Sequence, residues 1–182
     1  MGKATPGHIL AIIDENGVPV SDGTEGEIAV LQPDPVMFLN YWKRPDATAE
    51  KFADNWLRTG DMGTKDADGF IRFVGRADDV ITSAGYRIGP GEIEDCLLGH
   101  PAVLSAGVVG VPDVERTEIV TAFIVPRVGV ETDADLVAQL QHHVRTRLGG
   151  HQYPRRIIFA QSLPMTVSGK IIRRELRQMA MS

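Results

Sequence analysis

Three stretches of this sequence set glycine beside charge, a combination that lets a backbone approach an anion or a sugar closely. The first is Trp56-Leu57-Arg58-Thr59-Gly60-Asp61. The second runs Gly75-Arg76-Ala77-Asp78-Asp79-Val80-Ile81-Thr82-Ser83-Ala84-Gly85-Tyr86-Arg87-Ile88-Gly89-Pro90, and the third is Pro164-Met165-Thr166-Val167-Ser168-Gly169-Lys170. A carboxylate directly after a glycine turn, as at Asp61, can accept both hydroxyls of a ribose; it can equally be an ordinary turn residue. Arg76 offers a fixed fork of donors suited to phosphate or sugar oxygens, with an unliganded loop arginine as the plain alternative. Gly85 and Gly89 either admit a ligand close to the backbone or simply make turns. A lysine at the end of Ser168-Gly169-Lys170 can bridge two anions as a point charge. That stretch is not a Walker A loop, because the upstream glycine and the hydroxyl residue after the lysine are missing.

The elements that carry these stretches fall into two parts. The first reads as β structure. Ile9–Ile13 is an apolar run, Asp14-Glu15-Asn16-Gly17 is a turn, and Glu27–Leu31 alternates as a strand ended by Pro33 and Pro35. Asp46–Phe52 is expected as a short helix capped by Asp46 or Thr48. Phe70–Val74 returns as the second strand of a hairpin whose turn is Asp66-Ala67-Asp68-Gly69. After residue 78 strands and helices alternate. A helix over 91–98 is expected to end on Gly99 as a C′ residue before Pro101. Val103–Val111 and Ile119–Val125 read as strands, and Asp133 as the N-cap of a helix to Leu148 with Val137, Leu140, Val144 and Leu148 on one face. Arg156–Ala160 is a further strand and Ile171–Met179 a last helix. The expected fold class is α+β. A small β-rich, distorted barrel-like subdomain covers 1–77. A compact α+β domain covers 78–182, with a three-stranded central sheet and flanking helices.

Of the 182 residues, 43% are hydrophobic, which argues against disorder. No run of 18 apolar residues is present, so no membrane span is expected. Met1–Gly7 lacks the apolar stretch of a signal peptide. The single cysteine, Cys96, gives no disulfide framework and is expected to pack as a small apolar residue. A cytoplasmic setting follows as the expectation. The net charge of −5 hides an asymmetry: residues 145–182 carry eight Lys and Arg against one acidic residue. A basic tail points to an anionic partner or to a solvated helix face. A nucleic-acid partner is not expected, since Tyr153 and Phe159 are the tail's only aromatics.

In order and content the three stretches together resemble the adenylate-forming enzymes: acyl-CoA synthetases, peptide-synthetase adenylation domains and luciferases. The run Ile81–Pro90, with Glu92 and Glu94, is most similar to the medium-chain acyl-CoA synthetase branch, which is acetyl-CoA synthetase-like. The resemblance covers essentially the whole chain. It implies that Asp61 holds the ribose of ATP or AMP, that Arg76 assists there, and that Arg87 faces the nucleotide or acyl-adenylate phosphate. Asp78 would be the hinge between a large N-terminal domain and the small C-terminal one. Lys170 would touch both the carboxylate substrate and the α-phosphate, a cation placed where two anions meet and charge develops. In the second half-reaction the small domain would rotate, and Ala84, Gly85 and Tyr86 would line the pantetheine channel of coenzyme A. Arg116, with Pro154, Arg155 and Arg156, would meet the coenzyme's phosphates; a strand-edge charge pair is the alternative for Arg155 and Arg156. His100 falls where related enzymes bind a structural cation mainly through carbonyls. One histidine is thin support for that, and no metal site is predicted, Mg2+ arriving with ATP.

The family's Gly/Ser/Thr-rich phosphate loop ending in Pro-Lys is not in this sequence, nor is the acyl pocket. The expectation is therefore a C-terminal portion of an AMP-forming acyl-CoA synthetase, inactive alone, whose partners are a carboxylic acid, ATP, CoA and the missing N-terminal domain. Apolar surface left exposed on 1–77 favours self-association of the isolated piece. The alternatives are a stand-alone interaction or regulatory domain acting through Lys170, and part of a peptide-synthetase adenylation domain.

Overall fold

A computed structural model describes residues Met1–Met181. By contact the chain divides into two compact units, the first ending at Asp78 and the second beginning at Asp79.

The first unit contains β1 (Leu10–Ile13), β2 (Glu25–Leu31), α1 (Pro45–Ala49), β3 (Phe52–Ala53), β4 (Trp56–Lys65) and β5 (Ile71–Arg76). Its ladder runs β1-β2-β4, all antiparallel, and then forks: β3 pairs with the start of β4, while β5 pairs with Asp61–Lys65. Asp14 closes the turn after β1 by accepting the Asn16 and Val18 amides, and Gly17 takes a positive φ of 82°. The core is thin. Ala11, Ile13 and Ala29 form one cluster with Trp56 against it, and Ile12, Ile28 and Ile71 form another. Val36, Leu39 and Trp42 stay 78–89% exposed. Helix α1 is shorter than expected and starts at Pro45, so Asp46 and Thr48 lie inside it. Thr48 instead donates its hydroxyl to the Arg44 carbonyl and accepts the Tyr41 amide.

The second unit contains β6 (Ile81–Ser83), β7 (Tyr86–Ile88), α2 (Pro90–Leu98), β8 (Val103–Asp113), β9 (Thr117–Pro126), α3 (Ala134–Arg147), β10 (Arg156–Phe159) and α4 (Arg173–Met181). The sheet is larger than the three strands expected. Strands β8, β9 and β10 form that core, with β10 parallel to β9, and the β6–β7 hairpin adds two more strands through the pair Ser83–Thr117. Both faces are covered, which is why β8 and β9 are nearly continuous apolar runs. Val108, Val120, Ala122 and Ile124 pack on one side with α2 and α3. Val109, Val111 and Phe123 pack on the other with Leu176 and Ala180 of α4.

Local chemistry sets the helix ends. Asp133 caps α3 by accepting the Leu136 amide at 2.8 Å. Gly99 is not the left-handed C′ residue expected: its φ is −70°. Its amide bonds back to the Asp95 and Cys96 carbonyls, continuing the helical turn up to Pro101. Helix α4 begins at Arg173 rather than Ile171, because Ile171 is held in a bridge to Met165.

Candidate functional site

Asp61 reaches its position through a bulge. Between the pairs Glu27–Met62 and Ala29–Arg58, strand β2 has one residue and β4 has three, Thr59-Gly60-Asp61. The protruding segment is pinned at both ends. Thr59 donates its hydroxyl to the Ile28 carbonyl at 2.7 Å, and the Gly60 amide donates to Glu27 Oε1 at 2.8 Å. Gly60 has φ +80°, and a Cβ there would lie 2.8 Å from Arg76 Nη2. Only glycine therefore lets the guanidinium lie over this turn. Arg76 donates from Nη1 to Asp61 Oδ1 at 2.9 Å, and its Nε stands 3.5 Å from Asp78 Oδ1. Burial pulls the Arg76 guanidinium down, but the hydrogen bond and charge of Asp61 and the charge of Asp78 outweigh it and raise its pKa. The sequence-predicted trio Asp61, Arg76 and Asp78 is thus one charge cluster. The side chains of Asp61 and Asp78 are 30% and 76% exposed, so both carboxylates meet solvent.

A second cluster lies wholly within the second unit. A cleft of about 390 Å³ is lined by Ser83, Ala84, Tyr86, Arg116, Gly150, His151 and Arg155. Two turns build its floor. The β6–β7 loop is the two residues Ala84-Gly85, both with positive φ, 49° and 84°, as a tight two-residue hairpin requires. Nothing lies within 4 Å of a Cβ placed on Gly85, so at this position backbone conformation rather than space selects glycine. The β8–β9 turn is shaped by Asp113, which accepts the Glu115 and Arg116 amides. The Ala84 amide donates to the Arg116 carbonyl at 2.9 Å, fastening the two turns together. Tyr86 stacks on His151 with centroids 4.5 Å apart and planes 21° apart. Arg155 lies over the Tyr153 ring at 5.1 Å, with Arg145 at 5.8 Å. Pro154 is buried and gives its carbonyl to Gln141; Arg156 donates to the Ala180 carbonyl at 2.8 Å. Neither lines the cleft. Arg87 is exposed on β7 opposite Thr82.

Lys170 closes a small hairpin. The Thr166 amide donates to the Lys170 carbonyl, the Gly169 amide to the Thr166 carbonyl, and the Lys170 amide to Thr166 Oγ1. Its side chain is exposed and makes no hydrogen bond or ion pair among the described residues. The hairpin's base is packed. Ile171, Leu163 and Leu176 crowd Gly107 so closely that a Cβ there would meet Leu176 at 2.8 Å. Sequence reasoning missed His151 as a cleft wall and the partners of Arg173 described below. A histidine between Gly150 and Gln152 carries no local signal of the ring stacked on it.

Among the described residues no three His, Cys, Asp or Glu side chains are close enough to hold a metal ion, and no helix is long and apolar enough to cross a membrane. The thiol of Cys96 is pushed up by burial, in keeping with a packed cysteine rather than a nucleophile.

A two-faced β8–β9–β10 sheet with a glycine hairpin at its edge and a lysine turn before the last helix defines a small domain class. Residues 92–170, which lie within the second unit, match the AMP-binding enzyme C-terminal domain. Relatives that align with almost the whole chain are acyl-CoA synthetases. The rat acyl-coenzyme A synthetase ACSM3, mitochondrial, is 44% identical over 98% of this chain and 32% of its own length. The uncharacterized acyl-CoA ligase YtcI of Bacillus subtilis (strain 168) is 43% identical over 98% of this chain and 34% of its own. The chain thus spans about a third of the length of these relatives. Among solved structures, the anthranilate CoA ligase AuaEII in complex with anthranoyl-AMP superposes with a TM-score of 0.86 at 34% identity, over 98% of this chain and 34% of that one. ATP-bound MatB from Rhodopseudomonas palustris gives 0.84 at 32% identity, over 98% and 35%.

Proposed function

We propose that these residues serve as the nucleotide- and thiol-handling end of an AMP-forming acyl-CoA synthetase, which converts a carboxylate, ATP and CoA to acyl-CoA, AMP and diphosphate through an acyl-adenylate. The observation that carries this reading is the cleft that gathers Ala84, Tyr86, Arg116 and Arg155. Two guanidiniums beside an aromatic face suit the phosphates and base of coenzyme A, and the glycine hairpin leaves the backbone open to its pantetheine arm. Asp61, oriented by Arg76, accepts the ribose hydroxyls of ATP or AMP. Arg87 meets the phosphate. Lys170 contributes its cation where carboxylate and α-phosphate meet, and Asp78 is the hinge by which it is withdrawn before the thioester step. Mg2+ enters with ATP.

The 182 residues contain no phosphate loop of the family type, so the proposal includes no turnover by this chain alone, substrates being unpositioned. The exposed Val36, Leu39 and Trp42 of the first unit support self-association of the isolated chain. A reducing compartment, cytoplasmic or mitochondrial, suits the lone thiol.

Calorimetry with CoA and with 3′-dephospho-CoA tests the cleft. Arg116→Ala and Arg155→Ala should each weaken CoA binding about tenfold, the scale of one charge-assisted hydrogen bond. Unchanged affinity in both variants would remove the cleft from the reading. Lys170 is tested in a chimera in which this chain replaces the matching third of a relative. There Lys170→Ala should abolish adenylation and spare thioester formation from supplied acyl-adenylate.

A further inference from the structure

Arg173 follows Lys170 by three residues, and its guanidinium points into the fold. Nη2 donates to both oxygens of Glu94, at 2.8 and 2.6 Å, and Nη1 donates to Asp79 Oδ2 at 3.3 Å. Arg177, one helical turn later, donates to Asp79 Oδ1 at 3.1 Å. Glu94 Oε1 also accepts the Val108 amide at 2.8 Å. The side chains of Arg173, Asp79 and Glu94 are only 20%, 16% and 12% exposed. Arg173 Nε is buried without an acceptor among the described residues.

Stability alone does not explain this arrangement. Withdrawing two carboxylates and two guanidiniums from water costs desolvation that apolar side chains of similar volume avoid. Helix α4 already has an apolar anchor, with Leu176 and Ala180 buried against Val109, Val111 and Phe123. Apolar contact is non-directional, so it leaves the rotation of the helix start loosely set. A guanidinium whose two terminal nitrogens reach two different carboxylates is directional and sets it. The start of α4 is continuous with the lysine hairpin: the Ile172 amide donates to the Pro164 carbonyl, and the Glu175 amide donates to the Ile172 carbonyl. At the other end of the network stands Asp79, the first residue of the second unit. Three elements therefore meet on one guanidinium: the residue after the unit boundary, α2 through Glu94, and the segment that bears Lys170.

We propose that Arg173 is a positioning residue, which locks the Lys170 hairpin to Asp79 so that the lysine and the chain just after the boundary move as one body. Its value for catalysis rests on the reading of Lys170 given above; the mechanical link does not. This adds to the apolar packing a directional element that fixes where the lysine ends up when the boundary turns.

Amide hydrogen exchange on the 182-residue chain tests the link. In Arg173→Met, the Gly169, Lys170 and Ile172 amides should exchange at least tenfold faster, while central β9 amides such as Ala122 and Ile124 stay within threefold. Arg173→Lys, which keeps the charge without the fork, should fall between wild type and Arg173→Met. Uniform acceleration across hairpin and sheet, or an unchanged hairpin, overturns the proposal. If Arg173→Met does not fold, Arg173→Lys decides by the same selective pattern. In the chimera, Arg173→Lys should lower kcat for adenylation with KM for ATP unchanged. Selective loosening together with a harmless Lys170→Ala would retain the link and remove the lysine's role. Uniform loosening together with an inactive Lys170→Ala would do the reverse.

Discussion

Arg76 and Asp61 occupy directly paired positions on β5 and β4, and Arg76 donates to Asp61 Oδ1 at 2.9 Å across the face of Gly60. The guanidinium therefore holds the carboxylate in one orientation, which under the proposed ribose role would lower the ordering cost of binding. The arrangement depends on two features at one residue: a positive φ and the absence of a side chain.

Gly60→Ala should accordingly lower the stability of the first unit by about 1–2 kcal/mol from the left-handed backbone alone. Contact with the Arg76 guanidinium adds to that. Both tryptophans, Trp42 and Trp56, lie in this unit, so their fluorescence in a urea titration reads it. Gly60→Ala/Arg76→Ala should recover the steric part and not the backbone part. Full recovery would mean that φ at residue 60 is unimportant.

Asp133 is the side-chain cap of α3. Asp133→Ala should cost the second unit about 0.5–2 kcal/mol, and Asp133→Asn much less. Circular dichroism at 222 nm follows this unit, which among the described residues holds every helix longer than five residues. Equal losses in both variants would argue against the cap.

His100 gives a pH dependence. Burial holds its imidazole below the ordinary histidine value, and the charges of His143 and Arg147 push the same way. Its Nδ1 accepts the Ala102 amide at 3.2 Å, a bond that a protonated ring cannot accept. The unfolded chain takes up this proton at a higher pH than the folded one. The stabilisation is therefore whole above about pH 6.5 and is lost as pH falls toward and through the folded value. Urea midpoints of the second unit should drop between pH 7.5 and 5.5, with a shallower slope in His100→Asn. Identical slopes would show that His100 is not the group responsible.

His151 backs Tyr86 in the cleft. A stacked pair contributes about 0.5–1.5 kcal/mol beyond its area, so His151→Ala should weaken CoA binding by roughly two- to tenfold. His151→Phe, which keeps a ring, should restore most of it. Calorimetry distinguishes the two, and equal losses in both variants would mean that the stack on Tyr86 is not what supports binding.

The order of elements from α2 onward, the N-cap at Asp133 and the turn at Asn16-Gly17 were readable from residues alone. Each depends on neighbours near in sequence or on a pattern of period two or 3.6, which local chemistry dictates. Tertiary structure decided the rest. The bulge at Thr59-Gly60-Asp61 exists only because β2 has one residue where β4 has three. The β6–β7 hairpin became part of the sheet through a single pair with β9, and His151 became a wall of the cleft by stacking on a residue 65 positions earlier. The basic tail shows the limit most plainly. Composition counts eight cations there, but Arg156 is hydrogen-bonded to a helix carbonyl and Arg173 and Arg177 are paired inside the fold, while Arg155 lines the cleft. Arg173 finds Glu94 and Asp79 at separations of 79 and 94 residues. Charge in a sequence is a sum, whereas the work each charge does depends on which groups folding brings within hydrogen-bonding distance.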